Sequence, residues 1–333
     1  MNDARLSRLD EIKRENFDVL RIYSLILNEG MPENTPALVC EISEEAGIDK
    51  ASAYAALLSA LCDLDPDKNA HDKAIEREYF SKIKMLSLAP YLDDPYYKNI
   101  KFPRVTSGRW SFGYETYAAY EPFVWRDFVV TDDYREIPQI GFFTEPFSFP
   151  AVYEDGREWM AVKPNEIETM RSSIAAVSGD VLTYGLGLGY FTYMASEKSE
   201  VKSITVVERD EAAIELFKTH ILPQFQNRDK VKLVCSDAFD YAENVMVQES
   251  FDYVFADLWH DASDGLDLYI RLKRLEVNDP YATYLYWIEQ TLLTHVRWMV
   301  YDALRAKGCT YEEICREISS DSLKSLACRL KKA

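Results

Sequence analysis

Asp257 and His260 have side chains that can accept or donate a proton, and they lie close together in the chain. They follow residues 251–256, a largely apolar run typical of a buried strand. A carboxylate or an imidazole within hydrogen-bond reach of an amine can take its proton, so this loop is a candidate for general-base chemistry. Each residue also has a structural interpretation. Asp257 could cap the following turn or bind a ligand amine, and His260, beside Trp259, could pack or face water.

Upstream, three alternating glycines, Gly185, Gly187 and Gly189, directly follow an apolar strand that ends at Tyr184. Glycine allows a tight turn and a close approach of backbone N–H groups to a ligand, and the next helix points its positive end at the same place. Nicotinamide and flavin sites favour G-x-G-x-x-G, but Tyr190 stands at the position of that third glycine. The spacing therefore indicates a different nucleotide. Tyr184 and Tyr190 flank the loop, where one could line the ligand site or both could pack beneath the sheet.

The next two strands also end in residues suited to a nucleoside. Residues 201–207 read as a strand that ends at Glu208, about twenty residues beyond the loop, where an acid accepts hydrogen bonds from ribose hydroxyls. Residues 230–235 read as a third strand, followed by Asp237 and Ala238. There a carboxylate could accept from an exocyclic amine and a backbone N–H could meet a ring nitrogen. This pair is predicted to recognise adenine.

In these places the sequence resembles the class I S-adenosylmethionine-dependent methyltransferases, and within them the spermidine-synthase-like branch. The resemblance covers roughly residues 160–270, with specific motifs at the glycine loop, 206–210, 235–239 and 251–257. It implies a site for S-adenosylmethionine in which Asp257 helps to deprotonate an attacking amine. His260 stays a second catalytic candidate on the ground of its residue type. The cofactor-binding residues that the resemblance implies are Gly185, Gly187, Gly189, Glu208, Asp237 and Ala238. Tyr184, Arg209 and Asp257, which adjoin these motifs, complete the predicted cofactor site.

The sequence departs from the family pattern in ways that bear on the branch and the acceptor. Thr183 stands two residues before the first glycine, where many methyltransferases carry an acid and spermidine synthases do not. Residues 258–265 replace the usual short Asp-Pro loop, which leaves the acceptor open. The strand pair that completes a seven-stranded methyltransferase sheet is not evident after residue 288, where the pattern becomes helical.

The expected fold is α/β, with a doubly wound, mostly parallel Rossmann-like sheet that lacks its last strand pair. We expect three regions along the chain. Residues 1–100 form a helical domain, 101–162 an aromatic-rich β layer, and 163–333 the cofactor-binding domain with a helical C-terminal tail. That tail could form a dimer or close the sheet.

Local signals add detail to this plan. Asp155-Gly156 predicts a β-hairpin turn, and Asn165 with Glu168 predicts a capping box for a helix over residues 166–170 that lies beside the cofactor. Tyrosine and tryptophan side chains in the β layer could line a substrate pocket or simply fill the core of a small sheet. These are Tyr114, Tyr117, Tyr120 and Trp125.

Residues 42–54 resemble a helix-turn-helix, with Gly47 in the turn and Asp49 as the cap of the second helix. Few cations beyond Lys50 stand on the second helix, so a packing or dimerising role is favoured over DNA reading.

Composition limits the possible partners. The 333 residues carry a formal net charge of −18, which disfavours nucleic acid and could attract cationic small molecules or serve only solubility. No apolar run approaches about 20 residues, so no membrane span is expected. The N-terminus has no apolar signal region, which predicts a cytoplasmic protein. Four scattered histidines and six cysteines without C-x-x-C spacing give no metal-site pattern.

These observations predict an S-adenosylmethionine-dependent methyltransferase that acts on a small molecule, an amine being one option, and forms a homodimer. One alternative is a polyamine aminopropyltransferase that uses decarboxylated S-adenosylmethionine. Another is a non-catalytic regulator that senses the cofactor through the same site.

Overall fold

The structure is a computed structural model that describes residues 2–318. Its helices are α1 Asn2–Glu29, α2 Thr35–Ala46, α3 Lys50–Leu61, α4 Ala70–Glu78, α5 Ala89–Leu92, α6 Pro95–Asn99, α7 Pro164–Ala176, α8 Tyr190–Ser196, α9 Glu211–His220, α10 Ala238–Asn244, α11 Ala262–Leu275, α12 Glu289–Ala306 and α13 Tyr311–Ile318. Its strands are β1 Lys84–Met85, β2 Thr106–Ser107, β3 Trp110–Tyr117, β4 Phe123–Val130, β5 Glu136–Phe142, β6 Phe147–Glu154, β7 Arg157–Ala161, β8 Gly179–Tyr184, β9 Val201–Glu208, β10 Val231–Cys235, β11 Tyr253–Ala256 and β12 Thr283–Tyr286.

The described chain packs into two compact units. The first, called here the helical unit, contains residues up to 87, residues 117–147 and the residues from 290 onward. The second, called here the sheet unit, contains residues 88–116 and 148–289. The region predicted as one β layer thus contributes to both units. The three-part division of the chain at about residues 100 and 162 stays a prediction, because units defined by contact need not follow the chain in order.

A five-stranded parallel sheet forms the centre of the sheet unit. Its strand order is β10-β9-β8-β11-β12, so the chain starts in the middle, adds two strands on one side and then two on the other. Parallel strands covered on both faces are mostly apolar, and residues 181–184 of β8, 204–207 of β9 and 254–256 of β11 are buried and largely apolar. The predicted α/β fold is confirmed. Within residues 2–318 the sheet stops at β12, and helices α12 and α13 follow.

A smaller sheet, in the order β2-β3-β6-β7, packs in the same unit. Strands β6 and β7 pair antiparallel across the turn at Asp155 and Gly156. Both turn residues have positive φ, 48° and 79°, which is the requirement of a tight hairpin turn. The predicted hairpin is confirmed.

Helix α7 corrects one local prediction. It begins at Pro164 after Lys163, with no side-chain cap, so Asn165 already lies inside the first turn. The expected capping box between Asn165 and Glu168 is therefore wrong. The reason is that the proline ring fixes φ at a helical value and starts the helix earlier.

The helical unit contains the predicted helix-turn-helix. Gly47 ends α2 in a left-handed conformation, and Asp49 Oδ1 accepts hydrogen bonds from the backbone of Ala51 at 2.9 Å and of Ser52 at 3.1 Å. In the core of this unit the Tyr54 ring stacks on Phe142, with centroids 3.8 Å apart.

Candidate functional site

A cavity of about 330 Å³ lies entirely within residues of the sheet unit, where the carboxyl ends of the parallel strands meet the smaller sheet. Ligands of open α/β sheets bind at this edge because the strand-following loops converge there. Eight of the residues predicted for the site line this cavity. They are Gly185, Gly187, Glu208, Arg209, Asp237, Ala238, Asp257 and His260.

Gly185 brings the ends of β8 and β11 into close contact. Its φ is 96°, and a Cβ added there would stand 2.0 Å from the carbonyl oxygen of Asp257. Asp257 in turn donates its backbone N–H to the carbonyl of Tyr184 at 2.9 Å. A side chain at position 185 would therefore push Asp257 out of place, so glycine here sets the position of the candidate base.

Two predicted residues do not line the cavity. Tyr184 is only 2% exposed, and its ring packs edge-on to Tyr241. Gly189 precedes α8, where an added Cβ would stand 2.4 Å from the Phe217 ring. The other tyrosine beside the loop, Tyr190, donates its hydroxyl to Asp94 at 3.0 Å. Neither tyrosine lines this cavity, but Tyr190 and Gly189 line a small cavity of about 20 Å³ beside the glycine loop. The role of the two tyrosines therefore stays a prediction with both interpretations open.

Glu208 joins the glycine loop to the end of β9. Its Oε2 accepts a hydrogen bond from the backbone of Leu186 at 3.3 Å, and its Oε1 accepts one from the backbone of Asp210 at 2.9 Å. Each carboxylate oxygen can accept further hydrogen bonds, so donors from a ligand can still reach it from the cavity. Nearby, the exposed Arg109 pairs with Asp210 and, at 2.8 Å, with Glu154.

Asp237 caps α10 and also faces the cavity. Its Oδ1 accepts from the backbone of Phe239 at 2.8 Å and of Asp240 at 3.2 Å. Asp237 therefore has a structural role as the N-terminal cap of α10. The second carboxylate oxygen gives the residue an acceptor for a ligand donor, beside Ala238.

Asp257 follows β11, is half-buried and lines the cavity. Burial raises the pKa of Asp257 to about 7. An ionised carboxylate is poorly solvated in such a place, which makes this side chain a stronger base than an ordinary aspartate. A base with a pKa near neutrality suits proton transfer at neutral pH.

Glu166, in the first turn of α7, is a site residue that sequence reasoning did not single out. It lines the cavity, is 6% exposed, and its Oε2 has no hydrogen-bond partner among the described residues. Burial, and then the charge of Asp257, raise the pKa of Glu166 well above its ordinary value. The available signal was an acid in the first turn of a helix predicted to lie beside the cofactor.

His260 lies at the exposed side of the cavity. Its Nδ1 is 3.1 Å from Asp264 Oδ2, and its ring meets Trp159 edge-on with centroids 4.3 Å apart. Burial acts to raise the pKa of Asp264, but hydrogen bonds from the backbone of Asp261 and from His260 outweigh it and lower the pKa. Asp264 therefore orients the imidazole as an ionised partner.

The aromatic side of the cavity, defined as Trp110, Phe112 and Trp159, comes from β3 and β7. Trp110 and Trp159 meet edge-on with centroids 5.8 Å apart. None of the four aromatic residues considered from the sequence lines the cavity. Tyr114 is 43% exposed, and the other three belong to the helical unit. The core-filling interpretation describes Tyr120 and Trp125, which are buried there.

Two absences apply to the described part of the chain. Within residues 2–318, none of the helices combines the length and apolar character that crossing a bilayer requires. Over the same residues, no group of three or more His, Cys, Asp or Glu side chains is placed to hold a metal ion. The predictions of no metal and no membrane partner stay predictions.

Comparison with known proteins agrees with the location of this site. A family model described as the spermine/spermidine synthase domain matches residues 180–270, which contain the glycine loop and every predicted site residue. No curated protein matches the chain significantly. A solved structure of a protein described as an O-methyltransferase from Klebsiella pneumoniae is similar at 16% sequence identity and a TM-score of 0.27. That match covers 34% of this chain and 49% of the other, about half of its length. Over residues 180–270, the predicted resemblance to the spermidine-synthase-like branch of the class I S-adenosylmethionine-dependent superfamily is confirmed.

Proposed function

We propose that the cavity binds S-adenosylmethionine and that the protein transfers its methyl group to a small-molecule amine. The observation that carries the proposal is the convergence of Glu208, Asp237 and Asp257, three strand-end acids, with the glycine loop on one cavity. A volume of about 330 Å³ falls within the range of small-molecule sites, roughly 300–1,000 Å³.

The residues present fit this cofactor. Glu208 has carboxylate oxygens that ribose hydroxyls can approach from the cavity, and Asp237 with Ala238 offers an acceptor and a backbone donor for adenine. Gly185 and Gly187 leave backbone exposed to the methionine end. When bound, the cofactor supplies the electrophilic methyl group and the thioether leaving group.

The protein's own contribution is alignment, exclusion of water and removal of one proton. Asp257 Oδ atoms accept the proton of the acceptor amine, since burial makes this carboxylate basic. The aromatic side of the cavity keeps water away and offers ring faces to a cation. Alignment of two reactants in such a site supplies several kcal/mol, on the order of seven in favourable model reactions.

A second candidate function is aminopropyl transfer from decarboxylated S-adenosylmethionine. The match of residues 180–270 to the spermine/spermidine synthase domain favours it. So does the presence of Glu166 and Asp257 beside the glycine loop, because these acids, when ionised, would repel the carboxylate that only the undecarboxylated cofactor carries.

Calorimetric titration with the two cofactors, followed by incubation of each labelled cofactor with a pool of cell amines, tests the proposal. Tighter binding of S-adenosylmethionine and a labelled methyl group on an amine are expected. Preference for the decarboxylated cofactor, with transfer of its aminopropyl group, would replace methyl transfer by the second candidate. Tight binding without any transfer would support the sensor alternative instead, and binding of a nicotinamide dinucleotide alone would contradict all three.

A further inference from the structure

Glu166 and Asp257, called here the acid pair, come from separate elements and meet at one place. Glu166 belongs to the first turn of α7 and Asp257 follows β11. Both line the large cavity, and both also line a small cavity of about 20 Å³ behind the glycine loop. The acid pair therefore lies between the large cavity and the small cavity, beside the glycine loop.

One oxygen of the acid pair, Glu166 Oε2, is buried without a hydrogen-bond partner among the described residues. Glu166 is 6% exposed, yet its Oε2 accepts no hydrogen bond from any described residue. Buried polar atoms in folded proteins are almost always paired with protein, water or a ligand. An unpaired acceptor oxygen on a side chain that lines a cavity points to a ligand that donates hydrogen bonds.

The charged groups around the acid pair determine whether a cation or an anion binds there more favourably. The groups that act electrostatically on Glu166 are Asp257, Lys163 and Glu158, with Lys163 the one cation among them. Lys163 is itself engaged with Glu158, at 3.4 Å between Nζ and Oε1. The acid pair is thus left with excess negative charge when ionised. Burial raises the pKa of both acids, which means that near neutral pH the pair retains protons that a bound cation would displace.

We propose that Glu166 and Asp257 together form a site for one alkylammonium group at the inner part of the cavity. A primary ammonium group carries one positive charge and three N–H donors, which matches two carboxyl groups with an unpaired acceptor oxygen. A carboxylate or phosphate offers neither the charge nor the donors.

Two molecules could carry the ammonium group into the site. Both are ligands of the proposed function, on which this part of the inference rests. One is the cofactor, whose methionine end carries an amine and would lie along the glycine loop. The other is the amine acceptor itself. Both present the same chemistry to the acid pair, so separate titrations must tell them apart.

The test measures proton release on binding by calorimetry in two buffers of different ionisation enthalpy. The probes are S-adenosylmethionine, decarboxylated S-adenosylmethionine, and 5′-methylthioadenosine, which lacks the aminoalkyl end. A fourth titration adds 1,4-diaminobutane to protein saturated with 5′-methylthioadenosine. Release of protons with the two cofactors assigns the ammonium group to the cofactor, and release with the diamine assigns it to the acceptor.

The matched variants are Glu166→Gln and Glu168→Gln, which lie in the same helix. Glu168 pairs with Arg171 at 3.0 Å and does not line the cavity. In Glu166→Gln, proton release should decrease and affinity for the ammonium ligand should fall tenfold or more, with binding of 5′-methylthioadenosine unchanged. Glu168→Gln should behave as the wild type.

The pH dependence follows from competition between protons and the ammonium group. Affinity for the ammonium ligand should be weaker near pH 6 than near pH 8, because protons hold the acid pair at lower pH.

Absence of proton release with every ammonium ligand in the wild-type protein would overturn the proposal, whether or not Glu166→Gln folds. Wild-type affinity in a folded Glu166→Gln would overturn it too. Failure of 5′-methylthioadenosine to bind would instead count against the nucleoside site, and direct titration with the diamine would still decide whether the acid pair binds an ammonium group.

Discussion

At the scale of single residues, the acids of this cavity differ because their surroundings differ. Glu208 accepts hydrogen bonds from two backbone N–H groups, which hold its carboxylate in place beside the glycine loop. Asp257 is half-buried beside the cavity, and desolvation raises its pKa to about 7. The carboxyl groups at the ends of β9 and β11 are therefore suited to different tasks, one to hold a ligand and the other to exchange a proton.

Replacing Glu208 by glutamine should weaken the binding of S-adenosylhomocysteine. The variant keeps the size of the side chain but loses the charged acceptor, and hydrogen bonds to charged groups contribute about 1.5–3 kcal/mol. Calorimetry measures the change in affinity. Glu215→Gln, at an exposed position on α9, is the control and should bind as the wild type does. Equal affinities for both variants would contradict the assignment of the ribose to Glu208.

The rate of group transfer should rise with pH through about pH 7, because Asp257 acts as a base only after it has lost its proton. In Asp257→Asn this rise should vanish and the rate should fall by about 10²–10⁴-fold, the usual contribution of a general base. A pH profile of kcat/KM for both proteins measures this. An unchanged profile in the variant would place the proton acceptor elsewhere, with His260 the next candidate.

At the scale of elements, the site depends on how closely two parallel strands end together. The backbone of Gly185 donates to Val207 at 2.9 Å, and the backbone of Asp257 donates to Tyr184 at the same distance. Strand β8 therefore aligns the ends of β9 and β11 on either side of it. The smaller sheet adds the aromatic side of the cavity from residues that are far away in sequence.

Gly185→Ala should destabilise the protein more than Gly156→Ala does. Both glycines have positive φ, which costs about 1–2 kcal/mol for an alanine. Only at Gly185 would the new Cβ meet backbone, at 2.0 Å from the carbonyl oxygen of Asp257, whereas nothing lies within 4 Å at Gly156. Urea unfolding of both variants measures the difference, which we expect to be at least about 1 kcal/mol by overpacking. Equal losses of stability would mean that β8 and β11 are not so close.

At the scale of the whole molecule, acids with raised pKa values occur in both compact units. Burial raises the pKa of Asp127 and Glu136 in the helical unit, as it does for the acid pair in the sheet unit. The chain also carries a formal net charge of −18. Ionising these buried acids therefore adds unsolvated charge to a molecule that is already strongly negative. The homodimer expected from the sequence stays a prediction.

The thermal stability of the protein should decrease as the pH rises from about 5 to 8, because the acid pair loses its protons over this range. A carboxyl group with a raised pKa in the folded state binds more protons there than in the unfolded chain, so its contribution to folding is lost as the pH rises through the folded-state pKa. Scanning calorimetry of the wild type and of the double variant Glu166→Gln, Asp257→Asn measures this. The variant should lose less stability over that range, and parallel curves would contradict the raised pKa values.

Much of the site was predictable from the sequence because its parts obey a local rule. Glu208, Asp237 and Asp257 each follow an apolar strand, and the carboxyl ends of parallel strands necessarily meet at one edge of a sheet. The hairpin at Asp155 and Gly156 was equally local, since two residues determine the turn.

Tertiary structure alone decided which side chains complete the cavity. Glu166 becomes a partner of Asp257, and Trp110 of Trp159, only when α7 and the smaller sheet pack against the strand ends. The pKa of Asp257 likewise depends on burial by residues distant in the chain. The sequence determined the strands around the site and the acids at their ends, because these follow from periodicity and spacing. Packing decided the acid pair and the aromatic side, because contact and desolvation depend on neighbours in space.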